Sequence, residues 1–351
     1  MKTQNSTDTR PEASTGSSAW RLVKRAAGYL LAMACLVWVF HDIHVERLFR
    51  EMTSIRWGII PLAVIADALG YCSQGVRWRL LLRPVGRISA WRTTQAVYAG
   101  LFTSEVLPLR AGELVRGFLV SRWLSVRLIS IIPSMVVERL LDGVWLALGI
   151  GLAALAVQLP RSIIVAADVL GTVVLLGTVL FMYLVLHRRR PPAEKPSRAI
   201  ATWRPVRLLV TFIDRIAGGM RSIGAGRSFY LAFLISSGVL VFQIVAFWLV
   251  MLAYGLSVSL WIGAATLLIV HIGIIIPNAP SNVGTYQFFC VIGLSLFGVD
   301  KTTATGFSVA VFIILTLPLW AIGLVAISKS GMKLREIHSE ISRLMGRRAD
   351  K

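Results

Sequence analysis

Apolar stretches long enough to cross the roughly 30 Å of hydrocarbon in a bilayer recur along the chain, at 58–82, 163–186, 230–252 and 303–327. They are continuous runs, not alternations of apolar and polar residues. Each therefore reads as a helix that satisfies its own backbone, and not as a barrel strand. Two further runs, 26–40 and 134–157, complete a set of about six spans. A mean hydropathy of +0.72 and a charged fraction of only 15% exclude an ordinary soluble domain of this length. The expected fold class is all-α, a polytopic membrane helical bundle. Cys35, Cys72 and Cys290 lie within apolar runs without metal-ligand spacing, so they read as packing residues; no metal and no cofactor is expected.

The formal net charge of +20 is concentrated in the joints between runs, a pattern of membrane topology and not of nucleic-acid binding. Arg77, Arg79, Arg83, Arg87 and Arg92 form one acid-free joint. The joint 187–227 holds ten Lys and Arg against Glu194 and Asp214, and the tail 329–351 carries seven against three acids. The joints 158–161, 254–260 and 298–302 are short and nearly bare. Basic joints stay in the cytoplasm, so both termini are expected there, with 1–19 a disordered polar tail and 26–40 an uncleaved signal anchor. By parity, 93–127 must begin and end inside, and 261–297 must begin and end outside. Each is broken midway, the first at Leu107-Pro-Leu-Arg-Ala-Gly112 and the second at Pro277-Asn-Ala-Pro-Ser-Asn-Val-Gly284. Two re-entrant helical hairpins of opposite orientation follow, in halves 58–157 and 229–328. This is an inverted repeat, an arrangement that in transporters sets the substrate near the midplane.

An ionisable side chain at the bilayer centre costs about 2.5–3.5 kcal/mol on insertion scales, so those inside apolar segments are candidate site residues. Glu105, Arg110, Glu113 and Arg116 surround the first break, and the next span carries Glu138, Arg139 and Asp142. Glu113 and Arg116 are three apart and Glu138 and Asp142 four apart, so each pair shares a helix face. Arginines with free donors meet a phosphate in planar, bidentate fashion. Arg110 and Arg116 are the first candidates for that role, with Glu113, Glu138 and Asp142 orienting them. The competing reading is that the charges neutralise one another and lock the hairpin to the span. Asp67 lies mid-span, with Gln74 two turns later, and must be paired, hydrated or protonated. His271 reads as a packing residue. At the second break Asn278, Ser281, Asn282, Tyr286 and Gln287 offer neutral hydrogen bonds. A helix starting near Gly284 would aim its positive dipole end into the same region, which suits an anionic headgroup.

Three motifs in order, Leu107-Pro-Leu-Arg-Ala-Gly-Glu-Leu-Val-Arg116, Val136-Val-Glu-Arg-Leu-Leu-Asp142 and Pro277-Asn-Ala-Pro-Ser-Asn-Val-Gly-Thr-Tyr-Gln287, are joined by Val76-Arg-Trp-Arg-Leu-Leu-Leu82. Together they resemble the lysylphosphatidylglycerol synthetase transmembrane region, or flippase-like domain, over about 26–328. The chain departs from the pattern at Ser281, where glycine is usual, and at Gln287, where many relatives carry an acid. The first departure bears on the close backbone approach at the second break, and the second argues against proton coupling at Gln287. The resemblance implies a bacterial or archaeal membrane protein that moves or handles lipid-linked anionic substrates, a phospholipid or a polyprenyl-phosphate-linked sugar. No aminoacyl-transfer domain follows Lys329 in this sequence, so lipid synthesis is not expected. The rival readings are a membrane-embedded transferase with Glu138 or Asp142 as base, and a scaffold that docks a glycosyltransferase or aminoacyl-transferase partner. No GxxxxGK[ST] loop is present, so ATP-driven pumping by this chain alone is not expected.

Overall fold

The computed structural model describes residues 16–106, 112–187, 218–219, 222–223, 227–275 and 280–331, and every regular element among them is helical. Arg110, Asn278, most of the basic joint 187–227 and the tail 332–351 lie outside the described residues. The elements are α1 (Gly16–Phe40), α2 (Val45–Thr53), α3 (Ile60–Leu82), α4 (Ala90–Val106), α5 (Gly112–Trp123), α6 (Ile132–Ala156), α7 (Arg161–His187), α8 (Arg227–Tyr254), α9 (Leu260–Gly273), α10 (Thr285–Ser295) and α11 (Lys301–Ser328). Short 3₁₀ turns stand at Leu128–Ser130 and Pro280–Asn282. α1 begins at Gly16, so the last four residues of the polar tail are helical.

Local chemistry sets the helix starts. Pro61 and Pro133 occupy the first turns of α3 and α6, where a missing N–H leaves no bond unmade. Ser259 caps α9, accepting from the Ile262 N–H at 3.3 Å. Asp300 caps α11, accepting from the N–H groups of Thr302 and Thr303 at 3.1 and 3.3 Å. The 3₁₀ turn Leu128–Ser130 with α6, α8 and α11 are long and apolar enough to span a membrane. α1 and α2 meet the same test as a pair bent by 91°. α3 and α7 match them in length, at 23 and 27 residues, and Asp67, Arg77 and Arg79 interrupt the apolarity of α3. Large apolar side chains point outward from α3 (Leu62, Ile65, Leu69), α6 (Leu148, Leu152, Leu155) and α7 (Val173, Leu176, Leu180). A surface of that kind is stable only against lipid.

The bundle has two principal cores at opposite ends. At one end the C-terminal half of α3 (Trp78, Leu81, Leu82) packs with α4, α5 and α6, and with Leu319 and Ile327 of α11. At the other end Ala63 and Ala66 of α3 pack with Phe247, Val250 and Met251 of α8, with α9 and α10, and with Phe307 of α11. α3 and α8 run antiparallel between the two cores and share the longest interface in the molecule. The short pairs α4–α5 and α9–α10 enter from opposite ends, and their tips meet where Ser281 Oγ donates to the Glu105 carbonyl at 2.9 Å. These four helices have 17, 12, 14 and 11 residues. At 1.5 Å per residue none reaches about 30 Å.

α2 was not anticipated from the sequence. Its Leu48 is buried while Glu46, Arg47 and Arg50 face outward, and it fastens the first helices to the last. Arg47 donates to Glu51 at 2.9 Å and to Thr303 Oγ1 at 3.1 Å, and it approaches Asp300 at 3.4 Å. The Tyr254 hydroxyl donates to Glu51 at 3.2 Å. Lys301 donates to the His41 carbonyl at 2.8 Å and lies over the Trp38 ring, 4.5 Å from its centroid.

Candidate functional site

The first polar centre forms where α3, α5, α6 and α8 converge. Glu138 and Asp142, one turn apart on α6, both face Arg77 of α3, which is wholly buried. Arg77 Nη2 donates to Glu138 Oε1 at 2.8 Å, and its Nη1 serves Asp142 and, at 3.3 Å, Ser236 Oγ of α8. Gln74, one turn earlier on α3, donates to the same Glu138 oxygen at 3.2 Å. Arg116 of α5 reaches Glu138 with Nη1 at 3.2 Å and Nη2 at 3.0 Å. Its guanidinium lies over the Trp78 ring, 4.9 Å from the centroid, and the Trp78 indole in turn donates to Ser134 Oγ at 3.0 Å.

At the outer edge Arg139 bridges Glu113 at 2.7 Å and Asp142 at 3.1 Å, with half of its side chain exposed. Three arginines thus balance three carboxylates. Neutrality makes so many buried charges tolerable, because each desolvated ion has an opposite charge and directed hydrogen bonds. Glycine at 100 and 112 brings α5 close enough for Arg116 to reach the centre. A Cβ at Gly112 would fall on the Gly100 carbonyl, and one at Gly100 would press on the Arg116 side chain.

The sequence placed Arg77 in a cytoplasmic basic joint, and the structure corrects this: Arg77 is the centre of the network, and the exposed part of the joint is Arg79, Arg83, Arg87 and Arg92. The correction has a sequence signal. Gln74 and Arg77 are three apart and continue the helical face of Asp67, so one polar stripe runs down α3. Of the anticipated residues, Glu113, Arg116, Glu138, Arg139 and Asp142 are brought together. Arg116 spends Nη1 on a hydrogen bond to Glu138 and sets Nη2 against its other oxygen, while Nε and Nη2 have no hydrogen-bond partner among the described residues.

A seam between α6 and α9 leads away from this centre. Arg139, Asp142, Leu146, Ile150 and Ala153 follow one face of α6, and His271, Leu268 and Ala265 follow the facing side of α9. His271 has Asp142 as its charged neighbour. Beyond it the seam becomes wholly apolar, where Ile150 and Ala153 of α6 pack against Ala265 and Leu268 of α9, with Leu159 and Ile272 beside them.

The remaining anticipated residues that are described, Asp67, Ser281, Asn282, Tyr286 and Gln287, fall around the junction of the two tips. Gln287 caps α10, its Oε1 accepting the Gly284 N–H at 2.7 Å. Gly284 itself has φ +90, and a Cβ there would strike the Ala32 carbonyl of α1, so glycine is required on two counts. Ser281 and Asn282 also adopt left-handed backbone, φ +58 and +52. The glycine missing from the family pattern has therefore not unbent the turn. Tyr286 lies beside Phe312, and Asp67 is an electrostatic neighbour of Tyr71, Tyr98 and Tyr286. Tyr71 and Tyr98, which sequence reasoning passed over, stack edge to face at 5.6 Å.

No group of three or more His, Cys, Asp or Glu among the described residues is arranged to hold a metal ion. Comparison with curated proteins finds no match, nor does comparison with solved structures. Residues 25–323 match the Lysylphosphatidylglycerol synthase TM region, the same family that the four motifs resemble, and this multi-pass membrane protein belongs to that family.

Proposed function

We propose that the protein is a translocase-like handler of an amphiphile with an anionic headgroup, a phospholipid or a polyprenyl-phosphate-linked sugar. In this reading it resides in a bacterial or archaeal cytoplasmic membrane with the basic joints inside. The observation that carries the proposal is the α6–α9 seam, which has a half-exposed guanidinium at one end and a row of packed apolar side chains at the other. From Asp142 to Ala153 the seam runs about 16 Å along α6, a length matched to much of an acyl chain. Arg139 can exchange Glu113 for a phosphate, because a guanidinium presents five donors in a planar fork. Arg77 and Arg116 hold the wall behind it. The broken pairs, read as re-entrant hairpins, supply the two surfaces between which the headgroup passes.

Transfer of a labelled anionic lipid between the leaflets of reconstituted liposomes tests this. Wild-type protein is expected to transfer the anionic lipid faster than a zwitterionic one, and Arg139→Gln to lose that preference while melting close to wild type, since its partners are open to hydration. Absence of transfer by the wild type, or an unchanged preference in the variant, overturns the proposal.

A further inference from the structure

Asp67 is a carboxylate in the middle of the bundle that the neutral network does not absorb. It lies on α3, seven residues before Gln74, with only 9% of its surface exposed. Among the described residues it makes no hydrogen bond and no ion pair, whereas Glu138 and Asp142, on the neighbouring α6, are each held by two arginines. A carboxylate removed from water without a counter-charge is among the most costly groups a membrane helix can carry, and the cost disappears when it takes up a proton.

Its surroundings suit a neutral acid and not a metal ion. The titratable groups facing it are Tyr71 and, further off, Cys72 on its own helix; Tyr98 and, through Tyr71, Glu105 on α4; and Tyr286 with Cys290 on α10. α8 and α11, which also pack on α3, carry no acid or base between Tyr230 and Tyr254 or after Lys301 within the helix. The phenols bring no positive charge to Asp67, so taking up a proton is the step that neutralises it. Among the described residues no Lys, Arg or His pairs with Asp67, and no group of three or more His, Cys, Asp or Glu surrounds it.

The position matters as much as the chemistry. Tyr98 and Glu105 belong to the α4–α5 pair and Tyr286 to the α9–α10 pair, so Asp67 stands between the two tips that the Ser281–Glu105 bond joins.

We propose that Asp67 is a proton-binding site set between the two broken helical pairs. The carboxylate takes a proton from water entering the junction and becomes a neutral acid; release returns the proton to water. The proton site stands independently of what the protein transports, whereas its coupling to transport rests on the translocase reading.

The test has two arms. Infrared titration of the purified protein in lipid nanodiscs is expected to show the carbonyl stretch of a protonated, buried carboxylic acid at neutral pH. That band should be lost in Asp67→Asn and shifted but retained in Asp67→Glu. Absence of the band in correctly folded wild-type protein, or its persistence in Asp67→Asn, overturns the proton site. In the second arm, liposome transfer is measured with and without an imposed pH gradient and, separately, a sodium gradient. Wild-type transfer should respond to the pH gradient alone and Asp67→Asn to neither. A sodium response, or a pH response retained by Asp67→Asn, overturns the coupling. A wild-type protein that shows the band but transfers no lipid would refute the translocase reading and leave the proton site in place.

Discussion

Glu138 accepts from Gln74, Arg77 and Arg116 while wholly buried. Its replacement by glutamine keeps the shape and removes the charge that two guanidinia share. Breaking one member of a buried ionic group costs about 3–5 kcal/mol, because the partners stay desolvated without compensation. Glu138→Gln is therefore expected to lower the melting temperature in detergent sharply, and Arg139→Gln to lower it far less. Equal effects would show that burial does not separate the two positions. The acids of this network were legible from the sequence, since carboxylates at 138 and 142 in an apolar span need partners. Arg77 was not. At the end of an apolar run an arginine reads as a loop or snorkelling residue, and only the approach of Glu138, 61 residues later, draws it inward.

At the level of elements, the two breaks were readable because Pro and Gly interrupt apolar runs too short to span. Invisible to the sequence was how closely the halves of each pair approach. α4 and α5 touch backbone to backbone at Gly100 and Gly112, and this contact sets the reach of Arg116. Gly112→Ala is expected to push α5 away from α4, separate Arg116 from Glu138, and destabilise the protein by an amount comparable to Glu138→Gln. Because both changes strike one contact, the double variant should fall well short of the sum of the two. Full additivity in thermal unfolding would disconnect the glycine contact from the ion network. α2 escaped the sequence reading for a different reason: nine residues of mixed charge after an anchor look like a loop until Leu48 finds a core.

Across the whole molecule, the helix order follows the apolar runs of the sequence, and the two short pairs start at opposite ends of the bundle. The rule that Lys and Arg stay inside bears on the sidedness of helices and not on how they pack. The junction of the tips did not follow from that rule, because it depends on the backbone turn at Ser281 and Asn282. Ser281→Ala keeps the backbone and removes the side-chain bond that joins the tips at the Glu105 carbonyl. It is expected to raise amide hydrogen exchange at 101–105 and 281–284 several-fold, with little change in exchange at Ser236 or Trp78. Uniform loosening throughout the bundle would mean that the junction is not an independent unit.

The antiparallel interface of α3 and α8 bears on how the chain is made. Arg77 donates to Ser236, 159 residues further along, so the polar stripe of α3 stays uncovered on one side until α8 has been synthesised. Burial of that stripe therefore waits on the second half of the chain, and the arrival of α8 closes the structure.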